Sequence, residues 1–155
     1  MKYFILILCV FSSLAQARES VFGVWEVVDE DTEQVKSVIL ITGTDQQIKG
    51  EVIQLYHPEL PDELPRCGAC NGALENDPIV GMTILRGSVK PADSDRGDII
   101  LLDPATGKTH EVNLVLEDDG LRLRLDSTAP DGYSGSPVLG KTAVWQRPVA
   151  SRDKS

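Results

Sequence analysis

Val112-Asn113-Leu114-Val115-Leu116-Glu117, Asp118-Asp119-Gly120 and Leu121-Arg122-Leu123-Arg124-Leu125 form one uninterrupted stretch, and its reading decides the fold class. Val112, Leu114 and Leu116 share one parity, and Glu111 and Asn113 take the other. Leu121, Leu123 and Leu125 likewise oppose Arg122 and Arg124. A period of two is the spacing of a half-buried strand, not of a helix. Asp-Asp-Gly between two such runs is a hairpin signal, which predicts a tight turn with Leu121 opening the return strand. Apolar-in, polar-out alternation marks antiparallel strands with one wet face. His110 has the parity of Val112, so it is expected on the inner side. There it is either a core histidine bonded to backbone or a polar anchor for a bound molecule.

The same grammar extends outward in both directions. Val21–Val28, Ser37–Thr42, Ile48–Tyr56, Met82–Val89, Asp98–Leu102, Lys108–Glu117, Leu121–Asp126 and Lys141–Arg147 read as strands. Asp29–Glu33, Gly43–Asp45, Asp93–Gly97 and Asp103–Gly107 read as turns between them. Short strands with regular turn signals predict an all-β barrel or sandwich. Ser37–Ile41 is apolar on both faces at its centre, so cover is expected outside as well as inside. Residues 57–80 break the pattern with prolines, acids and two cysteines, and loops of this length are functional or disordered.

The amino terminus sets the compartment. Met1-Lys2, an apolar run from Tyr3 to Leu14 and the small-x-small site Ala15-Gln16-Ala17 have the plan of a secretory signal peptide cleaved after Ala17. The run is shorter than the roughly 20 residues a spanning helix needs, so a secreted or periplasmic protein without a membrane span is expected. The formal charge of −9 becomes more negative when Lys2 leaves. Such a chain repels nucleic acid and anionic membrane surfaces. Residues 18–148 are expected to form one domain, with residues 149–155 a flexible tail.

Cys9 leaves with the signal, so Cys67 and Cys70 remain. An even pair in an oxidising compartment most simply forms one disulfide that pins the 57–80 loop. Two other readings stand beside it. A thiol–disulfide active site needs a stabilised thiolate, yet Asn71-Gly72 breaks a helix and Glu75 and Asp77 oppose ionisation. A metal site would have to bring His57 to Cys67 and Cys70, three protein ligands where zinc takes four, or three and a water.

Gly23-Val24-Trp25 and Trp145-Gln146-Arg147 resemble the signature of lipocalin-type barrels, in which a Gly-x-Trp on the first strand packs against a basic residue at the end of the last. The wider series is more specific. Asp31-Thr32, Cys67-Gly68-Ala69-Cys70-Asn71-Gly72, Pro78–Gly81, Asp103–Thr109 and Gly140-Lys141-Thr142 follow in order between those ends. Together they resemble a family of small secreted bacterial proteins of unknown function with a lipocalin-like barrel. The resemblance implies an antiparallel up-and-down barrel of about eight strands, closed by Gly23, Trp25, Trp145 and Arg147. Two positions depart from it: Glu33 stands where glycine is expected, and His110 where tyrosine is usual.

Other motifs carry no chemistry. Gly135–Thr142 spells a phosphate loop, but a strand follows it where a helix is required. Arg96-Gly97-Asp98 is ordinary turn chemistry. Asp29, Asp31 and Glu33 lack the glycine of a calcium loop. With two histidines in the chain and no nucleophile evidently paired to either, triad catalysis is not expected. The expected function is therefore non-enzymatic. The barrel would hold a small apolar or amphipathic molecule against His110, Val112, Leu114, Leu116, Leu121, Leu123 and Leu125, with no cofactor and no metal. The alternative is a packed barrel that meets a periplasmic protein partner through its surface and the 57–80 loop, which the low aromatic content favours. Thiol exchange at Cys67 and Cys70 is the lesser alternative.

Overall fold

The structure, a computed structural model, describes residues 20–29, 31–44, 46–56, 65–88, 98–127 and 144–148. Eight strands follow one another: β1 (Gly23–Val28), β2 (Val35–Gly43), β3 (Gln47–Leu55), β4 (Thr83–Ser88), β5 (Asp98–Asp103), β6 (Lys108–Glu117), β7 (Arg122–Ser127) and β8 (Val144–Gln146). Each pairs antiparallel with its neighbour in sequence, and β8 returns to β1, closing the barrel. The closing ladder joins Glu26 to Gln146 and Val27 to Trp145. Closure gives both outer strands a partner along this ladder, which shortens the open edge that is the usual hazard of an antiparallel sheet. The ladders shift register at Val27/Val28, Val38/Ile39 and Gly50/Glu51, irregularities of the kind that lets a strand bend.

Directly opposed residues in antiparallel strands share a face, so the ladder traces the inner wall. Trp25 faces Ile39, Ile39 faces Val52, and Ile41 faces Gly50. Gly50 faces Leu85, Leu85 faces Leu101, and Leu101 faces His110. Leu125 faces Leu114, Leu116 faces Leu123, and Leu123 faces Trp145. Most of these side chains are buried and belong to one apolar cluster. Val38 on the opposite parity of β2 is buried too, in keeping with the two-sided apolar pattern of that strand.

Three local expectations are corrected. Val21 and Phe22 precede β1 instead of opening it, because the chain folds across the barrel end there: Trp25 Nε1 donates to Val21 O at 2.8 Å. Leu121 does not start β7. The turn is four residues wide, with Glu117 opposite Arg122, and Asp118, Asp119 and Gly120 all have positive φ. Leu121 is thereby set in the right-handed helical region and left 60% exposed. Met82 ends the preceding loop instead of beginning β4, and its carbonyl accepts from Val52 N at 3.0 Å.

The second half of the long loop is a folded knuckle. Arg66 bridges to Pro78, Cys67 N donates to Asp77 O at 2.9 Å, and Ile79 N donates to Pro65 O at 2.9 Å. A single 3-10 turn, Gly72–Leu74, lies between. The expected signal peptide, the 149–155 tail, His57, Arg96-Gly97 and the glycine-rich Gly135–Thr142 run lie outside the described residues. No helix among the described residues is long and apolar enough to cross a membrane.

Candidate functional site

Alternating strand direction gives the barrel two distinct ends. One carries Gly23, the β2–β3 connection, the 118–121 turn and Arg147. The other carries the β1–β2 connection, the knuckle at 65–82 and the 104–107 turn.

At the first end Arg147 acts as a strap. Its guanidinium carbon lies 3.8 Å from the centre of the Trp25 ring. The same group donates to Ser20 O at 2.5 Å, Val24 O at 3.3 Å and Gly120 O at 3.3 Å. It thus ties together the segment before β1, β1 itself and the β6–β7 turn. Burial pushes the guanidinium pKa below its usual value, while the three carbonyls and the electron-rich indole face suit a cation. Gly23 makes room for this: a Cβ there would lie 2.7 Å from Arg147 Nη1, and φ is +112°. The Gly-x-Trp spelling therefore has a steric cause. The sequence could name Gly23, Trp25 and Arg147, but not Ser20, Val24 and Gly120, which contribute only carbonyls and carry no side-chain signal.

Trp25 and Trp145 are both fully buried. The Trp25 indole N–H is satisfied by Val21 O. Among the described residues, Trp145 Nε1 is the buried side-chain donor without a hydrogen-bond partner.

At the opposite end Cys67 and Cys70 form a disulfide, and both are buried in the core cluster. Neither sulfur is therefore a free metal ligand, and among the described residues no cluster of His, Cys, Asp or Glu is arranged to hold a metal ion. Cys67 Sγ lies 3.1 Å from Pro104 O. Asp103 shapes the turn beneath: its carboxylate accepts from Ala105 N at 3.0 Å and Thr106 Oγ1 at 2.9 Å. Gly107 completes the fit. Its φ is +68°, and a Cβ there would lie 2.0 Å from Ala69 O. The Cys67–Cys70 knuckle is thus seated directly on the β5–β6 turn. Spacing alone did not reveal that these two segments meet.

The inner wall carries the remaining candidates. His110 is half-buried and opposite Leu101, which places it on the inner parity near the disulfide end. Val112, Leu123 and Leu125 are buried on that face, whereas Leu114 and Leu116 are only partly buried. Leu121 is not part of the row. Arg122 and Arg124 take the wet face as expected, where Arg124 bridges Glu117 and Asp126 and Arg122 reaches Asp118 at 3.5 Å.

A family of uncharacterized proteins conserved in bacteria (DUF2147) matches residues 23–147, from the Gly-x-Trp to the terminal arginine. The chain belongs to this family. Among solved structures, the chain is similar to protein HP1028 from the human pathogen Helicobacter pylori, described as belonging to the lipocalin family. The likeness has a TM-score of 0.59 at 17% identity and covers 84% of each chain. At that identity it establishes the lipocalin-like fold and nothing of ligand or activity. No curated protein matches the chain.

Proposed function

We propose that this protein is exported, loses residues 1–17 after Ala17, and serves as a non-enzymatic binding barrel for a small apolar or amphipathic molecule. One observation carries the reading. Leu114 and Leu116 point into a closed barrel yet keep accessible surface, while their neighbours on the same wall are buried. Eight-stranded barrels either fill with side chains or hold one small ligand. Inner leucines left partly uncovered favour the second outcome. The buried disulfide and the expected signal peptide are consistent with an oxidising compartment. Burial of both sulfurs supports a staple over thiol exchange, since exchange needs an accessible sulfur.

A second reading has its own support. A Cβ on Gly50 would lie 2.7 Å from Leu85 Cβ and 3.6 Å from Ile39 Cγ2, so the barrel is filled at that level. Ile53, Tyr56 and Leu74 are exposed beside the long loop and offer apolar contact to a protein partner. Native mass spectrometry of protein purified gently from its own host separates the two. Extra mass that leaves on denaturation supports the binding barrel. A bare chain that also fails to bind apolar fluorescent probes overturns it in favour of the packed barrel.

A further inference from the structure

Asn71-Gly72 stands on the outer side of the knuckle, directly after the disulfide-bonded Cys70. Both residues are exposed, as is the run from there to Asp77. Neither has a part in the barrel's interior.

Asparagine followed by glycine carries a chemistry of its own. The main-chain nitrogen of the glycine can attack the side-chain carbonyl carbon of the asparagine and close a five-membered imide. A folded chain prevents this by hiding the pair from water, by tying its groups into hydrogen bonds, or by crowding the nitrogen with a side chain.

The knuckle supplies none of these protections at Asn71. The residue precedes the 3-10 turn Gly72–Leu74, a position where an asparagine side chain commonly caps, yet it makes no capping hydrogen bond. Among the described residues Gly72 N donates to no backbone carbonyl, although Gly72 O accepts from Glu75 N at 3.2 Å. A Cβ at Gly72 would meet nothing within 4 Å, so the nitrogen is uncrowded. The attack requires the peptide between the two residues to turn toward the side chain from the extended backbone of Asn71, φ −118° and ψ 160°. Gly72, at φ +64°, has the freedom and the open space for that turn.

The other two asparagines are held. Asn76 N donates to Cys67 O at 3.0 Å, and Asn76 O accepts from Arg66 Nη1 at 3.0 Å. The nitrogen that would attack there, Asp77 N, donates to Leu74 O at 3.2 Å. Asn113 lies within β6 opposite Asp126, and Leu114 after it is fixed opposite Leu125.

We propose that Asn71-Gly72 is a self-modification site of the folded protein, at which the asparagine converts to a mixture of aspartyl and isoaspartyl residues. Gly72 N gives up its proton and bonds to Asn71 Cγ. The Cγ–Nδ2 bond breaks, and the side-chain nitrogen takes up a proton and leaves as ammonia. Water then opens the imide. Breaking its bond to Cγ gives aspartate, and breaking its bond to the main-chain carbonyl carbon gives isoaspartate. No oxidant, reductant or second protein is needed. Either product adds a negative charge to a segment that already carries Glu75 and Asp77. Isoaspartate also lengthens the backbone next to Cys70, because the chain then runs through the former side chain.

The test incubates the full mature chain, disulfide intact, in mildly alkaline and in mildly acidic buffer. Intact mass follows the amide-to-acid conversion, and peptide mapping with electron-transfer fragmentation separates the two products. Conversion is expected at Asn71 ahead of Asn76 and Asn113, faster in the alkaline buffer, and at a rate close to that of a free peptide with the sequence around Asn71. Asn71→Gln, a change at an exposed position, should fold normally and lose the conversion. Gly72→Ala should lose most of it. An unchanged Asn71 in the folded chain, while the free peptide converts, would show that the knuckle protects the pair and would overturn the proposal. Conversion that begins only after the disulfide is reduced, or that runs equally at all three asparagines, overturns it as well.

Discussion

Arg147→Ala tests the strap at the Trp25 end most directly. Three contributions are lost together. The cation over the indole face is worth about 0.5–2 kcal/mol. The short bond to Ser20 O is a charge-assisted hydrogen bond, worth about 1.5–3 kcal/mol when well buried. The contacts to Val24 O and Gly120 O, both at 3.3 Å, are weaker. Arg147 is half-buried, so water can reach part of the vacated site and replace some of these bonds. A net loss of about 2–4 kcal/mol follows. Urea denaturation followed by tryptophan fluorescence should show a lower midpoint with an unchanged slope. Arg147→Lys should fall between, because a lysine keeps the charge and loses the planar fork that spans three carbonyls. A double-mutant cycle with Trp25→Leu, which removes the aromatic face, should give a coupling of about 0.5–2 kcal/mol. A loss below about 1 kcal/mol for Arg147→Ala, or a coupling indistinguishable from zero, would refute the strap.

Three further outcomes are expected. Leu123→Ala should cost about 2–5 kcal/mol, whereas Leu121→Ala should stay within about 0.5 kcal/mol; equal costs in calorimetry would put Leu121 back on the inner wall. Glu33 has φ +57°, the left-handed region that penalises a side chain, so Glu33→Gly should raise stability by about 0.5–1 kcal/mol in the same assay. Asp29 is held below the usual carboxylate range first by the Thr32 hydroxyl at 3.0 Å and then by backbone N–H groups, so Thr32→Val should raise its pKa in a carbon-detected NMR titration. A folded-state pKa that lies low contributes stability above the unfolded value of 3.8 and loses it as pH falls through the folded one. The difference in stability between wild type and Thr32→Val should therefore be present at neutral pH and shrink below about pH 4.

Much of the architecture was legible because strand alternation is a local code. Leu123 and Leu125 opposite Arg122 and Arg124 need no distant partner to declare which side is dry. Gly23, Trp25 and Arg147 were legible through resemblance, and the reason for the glycine became visible only with the guanidinium packed against it. The departure at Glu33 acquired a cause in the same way: the residue sits in a backbone conformation that suits glycine. The error at Leu121 has a specific source. Asp-Asp-Gly announces a turn but not its width, and one extra residue on the turn takes Leu121 out of the ladder and into solvent.

By itself the sequence determined an all-β chain with eight strand segments, the inner parity of the two strands around Asp118–Gly120, and a cysteine pair close enough to bridge. These follow from spacing along the chain, which period-two geometry and short-range covalent reach convert directly into structure. Tertiary structure alone decided the register in which β8 meets β1, that the disulfide knuckle sits on the Asp103–Gly107 turn, and that Ser20, Val24 and Gly120 supply carbonyls to Arg147. It alone decided which buried indole finds an acceptor and which inner leucines stay partly uncovered. Those outcomes depend on backbone groups and voids brought together from distant parts of the chain, and neither backbone carbonyls nor empty space leaves a mark in the order of side chains.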